Sequence, residues 1–561
     1  MKRVLEANKY LILLIVLALC AAAIFTGHYG NILLDVGREV YYPQQILSGK
    51  VLYKDLFNIY GPFSYLVNAL LFKVFGTKLS VLYTSGVLCT AGIVCGIYLT
   101  ARKFLTEFLS FSLGLFTIAG GICAYHLFNF TFAYSQGMVW GLLAFVYSLL
   151  FLVKYVDTSC EPSREACEKN VKFLYLSSFL SGAAVCCKYD FLLYSVVVFC
   201  VIFACRNLKI ILKALGAFAT IPLICFGVLF WQGLSVEDLR NFAAIMRLMS
   251  ESQTLKYFYS TQGLYFRLSY IPYVLVFLTI SATIFGAFVL AEKIKTKKIL
   301  SYIVLVIASA AAFLVTNPLE FIYLPVLVLI LGLIAHRKLF SNMPAAVLVV
   351  SALALCIKTF FGLSYQTYGN YYISTVLTAF FALMFLFVKK DYQKSAGIFL
   401  IITSLSIALS NFKSLPDFKI TNKNSTIYTP PQEGQSTTLL IDYIEKNTQK
   451  SDKIVIYPEG LMINFLTNRK SDGWYNSMLP LYVEVFGEDK FIEHFQKSLP
   501  EYIIFNNKNM KDYYFEYICK DYAVGFCAFV NENYRQSAVI SGELNYLIFK
   551  RKSQKLIQKE D

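Results

Sequence analysis

Thirteen apolar stretches of about the length that crosses a bilayer constrain this chain more than any other feature. They lie near residues 10–27, 79–101, 108–126, 133–154, 173–187, 190–206, 210–231, 268–290, 299–315, 319–335, 343–361, 370–388 and 396–411. Hydrocarbon offers no partners to backbone N–H and C=O groups, so each stretch can cross lipid only as a helix that satisfies its own. A soluble globular domain is excluded, since 57% of the residues are hydrophobic and only 15% are charged. The net charge of +16 does not point to nucleic acid, because the basic residues fall in short groups between apolar runs, as cytoplasmic anchors do.

Charge in the connections orders these spans. With Lys2 and Arg3 in the cytoplasm, every second connection should be basic: Arg102-Lys103, Lys154 to Lys172, Arg206 to Lys213, Lys293 to Lys298, Arg337-Lys338 and Lys389 to Lys394 are. The opposite set is nearly neutral: 28–78, 127–132, the Lys188-Tyr189-Asp190 turn, 232–267, 316–319 and 362–369. Residues 62–75 are apolar but about two-thirds of the usual span, and counting them as a crossing would invert every later loop. They are therefore expected to form a juxtamembrane or re-entrant helix inside one outer loop, 28–78. The basic start and the Ala21-Ala22-Ala23 run resemble a signal peptide, yet the apolar run is long for one, and a retained first helix is expected.

The expected fold is a polytopic α-helical membrane protein. Its domains are a membrane domain over 1–411, a linker over 412–435 and an extracytoplasmic α/β domain over 436–561. Within the tail, 436–447 and 461–466 read as helices, and 453–457, 501–506, 525–530 and 543–550 as strands. Cys519 and Cys527 can pair if the tail is extracytoplasmic. The four histidines, His28, His126, His336 and His494, have no spacing that would mark a zinc site. No cofactor is expected to be required, although Asp35 or Glu39 can hold a divalent cation through oxygen.

Charge is concentrated just after the first span. Asp35, Arg38 and Glu39 stand at i, i+3 and i+4, one face of a helical turn, and Lys54, Asp55 and Tyr60 follow. Ionisable groups beside lipid are costly to desolvate, so such a cluster is a functional site by default. Asp35 can take a proton from an acceptor hydroxyl or amine, and Arg38 can grip a phosphate with its guanidinium fork. An Asp35–Arg38 ion pair that only pins the loop is the structural alternative. Gly37 permits close approach of another backbone, Pro43 is expected to bend the segment, and Tyr41, Tyr42, Ile46 and Leu47 are expected to lie on the lipid interface.

Elsewhere, Lys188 is a candidate contact for a lipid phosphate, with pairing to Asp190 as the plainer reading. Arg240, Arg247 and Arg267 in the 232–267 loop are candidate phosphate ligands on what is otherwise a solvated helix. Asn370, among Tyr365 to Tyr372, is a candidate sugar contact in what can equally be an aromatic belt.

The outer loop, with Asp35-x-x-Arg38-Glu39, Ile46-x-x-Gly49-x-x-Leu52-Tyr53-x-Asp55 and Tyr60-Gly61-Pro62, resembles the first periplasmic loop of the GT-C glycosyltransferases. It is most similar to the branch of protein O-mannosyltransferases and lipid A aminoarabinose transferases. The tail through Tyr457-Pro458-Glu459-Gly460 and Asn464-Phe465-Leu466 resembles the periplasmic domains of bacterial members. The resemblance implies a sugar donor on a polyprenyl phosphate, Asp35 as general base, Arg38 as a donor-phosphate contact and inversion at the anomeric carbon. Two positions depart from the pattern. Asp35 is followed by Val36 rather than a second acid, and Gly61 stands where aminoarabinose-type enzymes often have a lysine, which leaves Lys54 or Lys188 to supply the positive charge.

Two functions follow as expectations. The first is a glycosyltransferase of a bacterial inner membrane, with cytoplasmic amino terminus and periplasmic tail, acting on a polyprenyl-phosphate sugar and a lipid, glycan or protein acceptor. The second is a transporter or flippase of lipid-linked glycans, which should bury ionisable residues near mid-membrane between internal repeats. No repeat is visible, and the charges gather at the expected outer face.

Overall fold

The computed structural model describes residues 8–30, 32–159, 164–294, 299–300, 303–304, 307, 321–388, 390–422 and 425–552. The chain divides into two compact units, each assembled from three separated segments.

The first unit comprises Met1–Thr26, Tyr83–Cys225 and Gln262–Leu415 and is helical. Among the described residues its apolar helices include Lys9–Phe25, Glu107–Gly121, Gln136–Ser159, Arg164–Cys187, Leu192–Ala204, Ile271–Lys293, Leu324–Ile334, Met343–Leu355, Asn370–Met384 and Gln393–Lys413. Leu79–Ala101 and Leu208–Trp231 contribute most of their length. These match twelve of the expected spans, and the one over 299–315 falls largely outside the described residues. Five described helices are long and apolar enough by themselves to cross a membrane, Leu208–Trp231 being one. The chain is a multi-pass membrane protein.

Lipid is as apolar as leucine, so polar contacts and close packing, not the hydrophobic effect, hold such helices together. Ser148 Oγ lies 2.7 Å from Tyr194 Oη, and Thr117 donates to Ser374 Oγ at 2.9 Å.

The second unit comprises Gly27–Leu82, Phe226–Thr261 and Pro416–Asp561. Its first segment holds helices α1 (Gly37–Leu47) and α2 (Phe63–Phe75), and its second holds α3 (Val236–Glu251) and α4 (Gln253–Thr261). The third opens with a hairpin, β1 (Phe418–Asn422) against β2 (Ser425–Thr429). Then come α5 (Pro431–Asn447), β3 (Ile454–Tyr457), α6 (Leu461–Thr467), α7 (Pro480–Phe486), α8 (Glu488–Lys497), β4 (Tyr502–Asn506), α9 (Val524–Asn533), β5 (Tyr534–Ile540) and β6 (Tyr546–Arg551). The main sheet runs β3-β4-β6-β5, with β3 and β4 parallel and the other pairs antiparallel. Val455, Tyr457, Ile503, Phe505 and Phe549 pack on Phe491, Phe495 and Phe526 in one core.

Several expectations need correction. Residues 412–435, read as a linker, contain the β1–β2 hairpin and the start of α5. Residues 525–530, read as a strand, belong to α9. A short apolar run fits either period, and helical spacing is what buries Phe526, Phe529 and Val530 on one face. The 62–75 segment is helical as expected, burying Tyr65, Asn68 and Phe72 while Leu70, Val74 and Phe75 are exposed.

Candidate active site

Helix α1 begins at Gly37, so Asp35 sits in the turn ahead of it rather than on its face. Gly37 is required by packing. A Cβ there would stand 2.3 Å from Met462 N and 2.8 Å from the Leu461 carbonyl carbon, so α1 meets α6 backbone to backbone. Tyr41 and Tyr42, expected at the lipid interface, are buried instead. The Tyr41 hydroxyl accepts from Ser471 N at 2.7 Å, and that of Tyr42 donates to the Phe57 carbonyl at 2.7 Å and accepts from Asn476 Nδ2 at 2.9 Å. Buried phenols whose hydroxyls are hydrogen-bonded pin a helix to its neighbours, which is why this face turns inward. Ile46 is buried with them, whereas Leu47 is exposed. The helix runs on through Pro43.

Asp35 and Arg38 line one pocket, together with Tyr42, Phe57, Glu459, Trp474, Asn476 and Tyr482. It is narrow: its volume of ≈ 20 Å³ holds about one water molecule. The Arg38 guanidinium lies over the Tyr60 ring, 4.8 Å from its centroid, and its Nε is 3.5 Å from Glu39 Oε1. Glu39 is fully buried and accepts from the Tyr65 hydroxyl at 2.8 Å, which places it between α1 and α2, behind the pocket wall.

Much of the lining, Glu459, Trp474, Asn476 and Tyr482 included, comes from the tail. β3 and β4 are parallel and in register, Tyr457 opposite Phe505, so the loops leaving their carboxyl ends emerge side by side. Such strand ends are where open α/β sheets bind ligands. They carry Glu459 and Lys508. Lys508 Nζ donates to Asp35 Oδ1 at 2.5 Å and to Glu459 Oε2 at 2.6 Å. Burial pushes the Glu459 carboxyl up to about 7 against the pull of Lys508, while the two carboxylates raise Lys508 despite its burial.

The other expected residues have varied settings. Lys54 Nζ donates to the Gly233 carbonyl at 2.9 Å, tying the first segment to the second. Asp55 accepts from Val51 N at 2.8 Å and closes its own turn. Arg247 is 82% exposed on α3 and pairs with Glu251, as a solvated helix face would. The end of α3 and start of α4 are held by Glu484, which accepts from Ser252 Oγ at 2.6 Å and Gln253 N at 2.9 Å.

In the helical unit, Lys188 and Asp190 are buried 3.7 Å apart, and Asp190 also meets Lys358 at 3.1 Å and the Tyr368 hydroxyl at 2.9 Å. Lys358, which the sequence reading passed over, is the more exposed cation of this cluster. Asn370 is buried and donates to the Gly120 carbonyl at 2.6 Å and that of Phe128 at 3.0 Å. Its amide holds two chain turns together.

Glu459 entered the sequence reading only as part of a resembling motif, and Lys508 not at all. A usable signal was present: each follows a short buried strand by a few residues, where a parallel pair places its loops together. Among the described residues no group of three or more His, Cys, Asp or Glu is placed to hold a metal ion. Cys519 and Cys527 form a disulfide.

No protein-family model and no curated protein matches the chain. Solved structures do match in fold. ArnT from Cupriavidus metallidurans, bound to undecaprenyl phosphate, superposes with a TM-score of 0.51 at 11% identity, over 98% of this chain and 99% of that one. The Archaeoglobus fulgidus oligosaccharyltransferase, tethered to an acceptor peptide containing the NVT sequon, gives 0.50 at 12% identity, over 98% of this chain and 75% of that one. The chain has the GT-C fold: a multi-pass helical membrane domain followed by a carboxy-terminal α/β domain.

Proposed function

We propose that the protein is a glycosyltransferase moving a sugar from a polyprenyl-phosphate donor to a lipid, glycan or protein acceptor at the outer face of a bacterial inner membrane. The observation that carries this reading is that the Asp35 carboxylate and the Arg38 guanidinium line one pocket of a GT-C fold. Asp35 takes the proton of the acceptor hydroxyl or amine as that atom attacks the anomeric carbon. The bond from that carbon to the phosphate oxygen breaks, its electron pair leaves with the lipid phosphate, and the configuration inverts. Arg38, backed by the Tyr60 ring, donates to the departing phosphate and lowers the cost of its charge.

Three observations support the outer placement. The neutral connections 28–78 and 232–267 fall largely in the same compact unit as the tail, as one shared side of the membrane would require. The Cys519–Cys527 disulfide suits an oxidising compartment. The exposed Leu70, Val74 and Phe75 of α2 suit a helix lying along a lipid surface. The transporter reading is less well supported, since the buried Lys188, Asp190 and Lys358 stand at helix ends rather than in mid-span.

The test is incubation of the purified protein with labelled polyprenyl-phosphate sugars and measurement of released lipid phosphate. Asp35→Asn should abolish release while the protein remains folded and inserted. Full activity in that variant removes Asp35 as the base.

A further inference from the structure

Asp35 and Glu459 line the pocket from segments more than four hundred residues apart, and Lys508 bridges the two carboxylates. A single side chain ties the two late loops: Asn506 Nδ2 donates to the Glu459 carbonyl at 2.8 Å, and Asn506 Oδ1 accepts from Lys508 N at 3.1 Å. The Lys508 ammonium bridges both carboxylates, and all three side chains are only 15–16% exposed. This is unlike a surface ion pair. With the cation gone, two carboxylates would face each other with little water, and sharing a proton would cost less than ionising both.

We propose that Lys508, anchored by Glu459, is a positioning residue that aims the Asp35 carboxylate, and that its charge, supplied by the tail domain, sets the pH range in which the carboxyl pair takes up a proton. The inference rests on the reading of Asp35 as the base.

Among the described residues, the other ionisable groups facing this triad are Arg38 and, behind it, Glu39, with the phenols of Tyr60, Tyr482, Tyr513 and Tyr522. Burial raises Tyr482, Tyr513 and Tyr522, so they stay neutral in the working range. The balance is therefore two cations, Lys508 and Arg38, against Asp35, Glu459 and the more remote Glu39. Carboxylates this close titrate together, and changing one charge moves the proton uptake of the whole group.

The experiment uses the full-length protein in detergent. Carbodiimide labels carboxyl groups in their protonated form, and mass spectrometry reports labelling at Asp35 and Glu459 as the pH is lowered. Lys508→Met should raise the pH at which the pair becomes labelled by about 1–3 units, with the acid limb of kcat/KM rising alongside. Lys508→Arg should restore both. Glu459→Gln, which leaves the cation to Asp35 alone, should move the acid limb the other way. Wild-type labelling and wild-type acid limbs in the Met and Gln variants would overturn the proposal. Should Lys508→Met not fold, the sign of the Glu459→Gln shift decides: downward supports, absent or upward overturns. Labelling needs no turnover, so the two readings separate. A fully active Asp35→Asn removes the base and this inference with it, whereas an inactive Asp35→Asn with unmoved labelling in the other variants overturns this inference alone.

Discussion

Replacing Gly37 by alanine tests whether the α1–α6 contact positions the site. A Cβ at residue 37 would lie 2.3 Å from Met462 N and 2.8 Å from the Leu461 carbonyl carbon. Carbon contacts relax near 3.5 Å, so the helices must separate by roughly 1 Å, and the obstacle is backbone that no rotamer change removes. Overpacking of this kind costs about 1–3 kcal/mol. For a unit of this size each kcal/mol lowers Tm by about 2–4 °C, giving a loss of roughly 2–12 °C. Function should suffer more. α1 carries Arg38 and follows Asp35 directly, while α6 follows Glu459 directly, so a shift of that size lands between the pocket walls. Misplacing reacting groups by about 1 Å costs on the order of 10²-fold in rate. Thermal unfolding in detergent and release of lipid phosphate measure the two effects. Gly216→Ala, where a Cβ meets nothing within 4 Å, is the control and should be neutral or mildly stabilising. If Gly37→Ala unfolds and turns over like the wild type, the contact does not position the site and the reasoning fails.

Other expectations follow from burial and pairing. Asp190→Asn leaves the buried Lys188 without its carboxylate partner and should destabilise the helical unit by about 3–5 kcal/mol, read as a fall in Tm. Asn370→Ala strips a donor from one buried and one half-buried carbonyl and should cost about 1–3 kcal/mol. Arg247→Ala, on an exposed helix face, should stay within about 0.5 kcal/mol and leave turnover unchanged; a large loss of activity there would make the loop a substrate contact. Glu459 supplies a pH dependence. Its folded value, near 7, lies above the ordinary 4.5, so the folded protein holds a proton that the unfolded chain has released. That contribution is complete below the unfolded value and is lost as pH rises through the folded one. Measured from about pH 5 to about pH 8, the Tm of the wild type relative to Glu459→Gln should therefore fall; a constant difference would contradict the assignment.

Some of the molecule could be read from local pattern. Apolar length gave the positions of twelve described membrane helices, because a segment that crosses lipid must close its own hydrogen bonds and so carries its signal in consecutive residues. Charge beside the first span singled out Asp35 and Arg38, and both line the pocket. Other readings failed where local pattern is ambiguous. The 525–530 run is apolar enough for either period, and only the aromatic core of the tail selects helix. Tyr41 and Tyr42 looked interfacial, but which face an amphipathic helix buries depends on what arrives against it, and here that is α6 and the loop that follows.

By itself the sequence determined that the chain spans a membrane, roughly where twelve of its described helices lie, and that charge gathers just beyond the first of them. The tertiary structure alone decided what that charge faces. Lys508 and Glu459 become neighbours of Asp35 because two parallel strands end in register beside the turn before α1. Hydrophobic periodicity reports how one segment meets its surroundings. A salt bridge between residues hundreds of positions apart depends on how separate segments meet, and no local pattern encodes that.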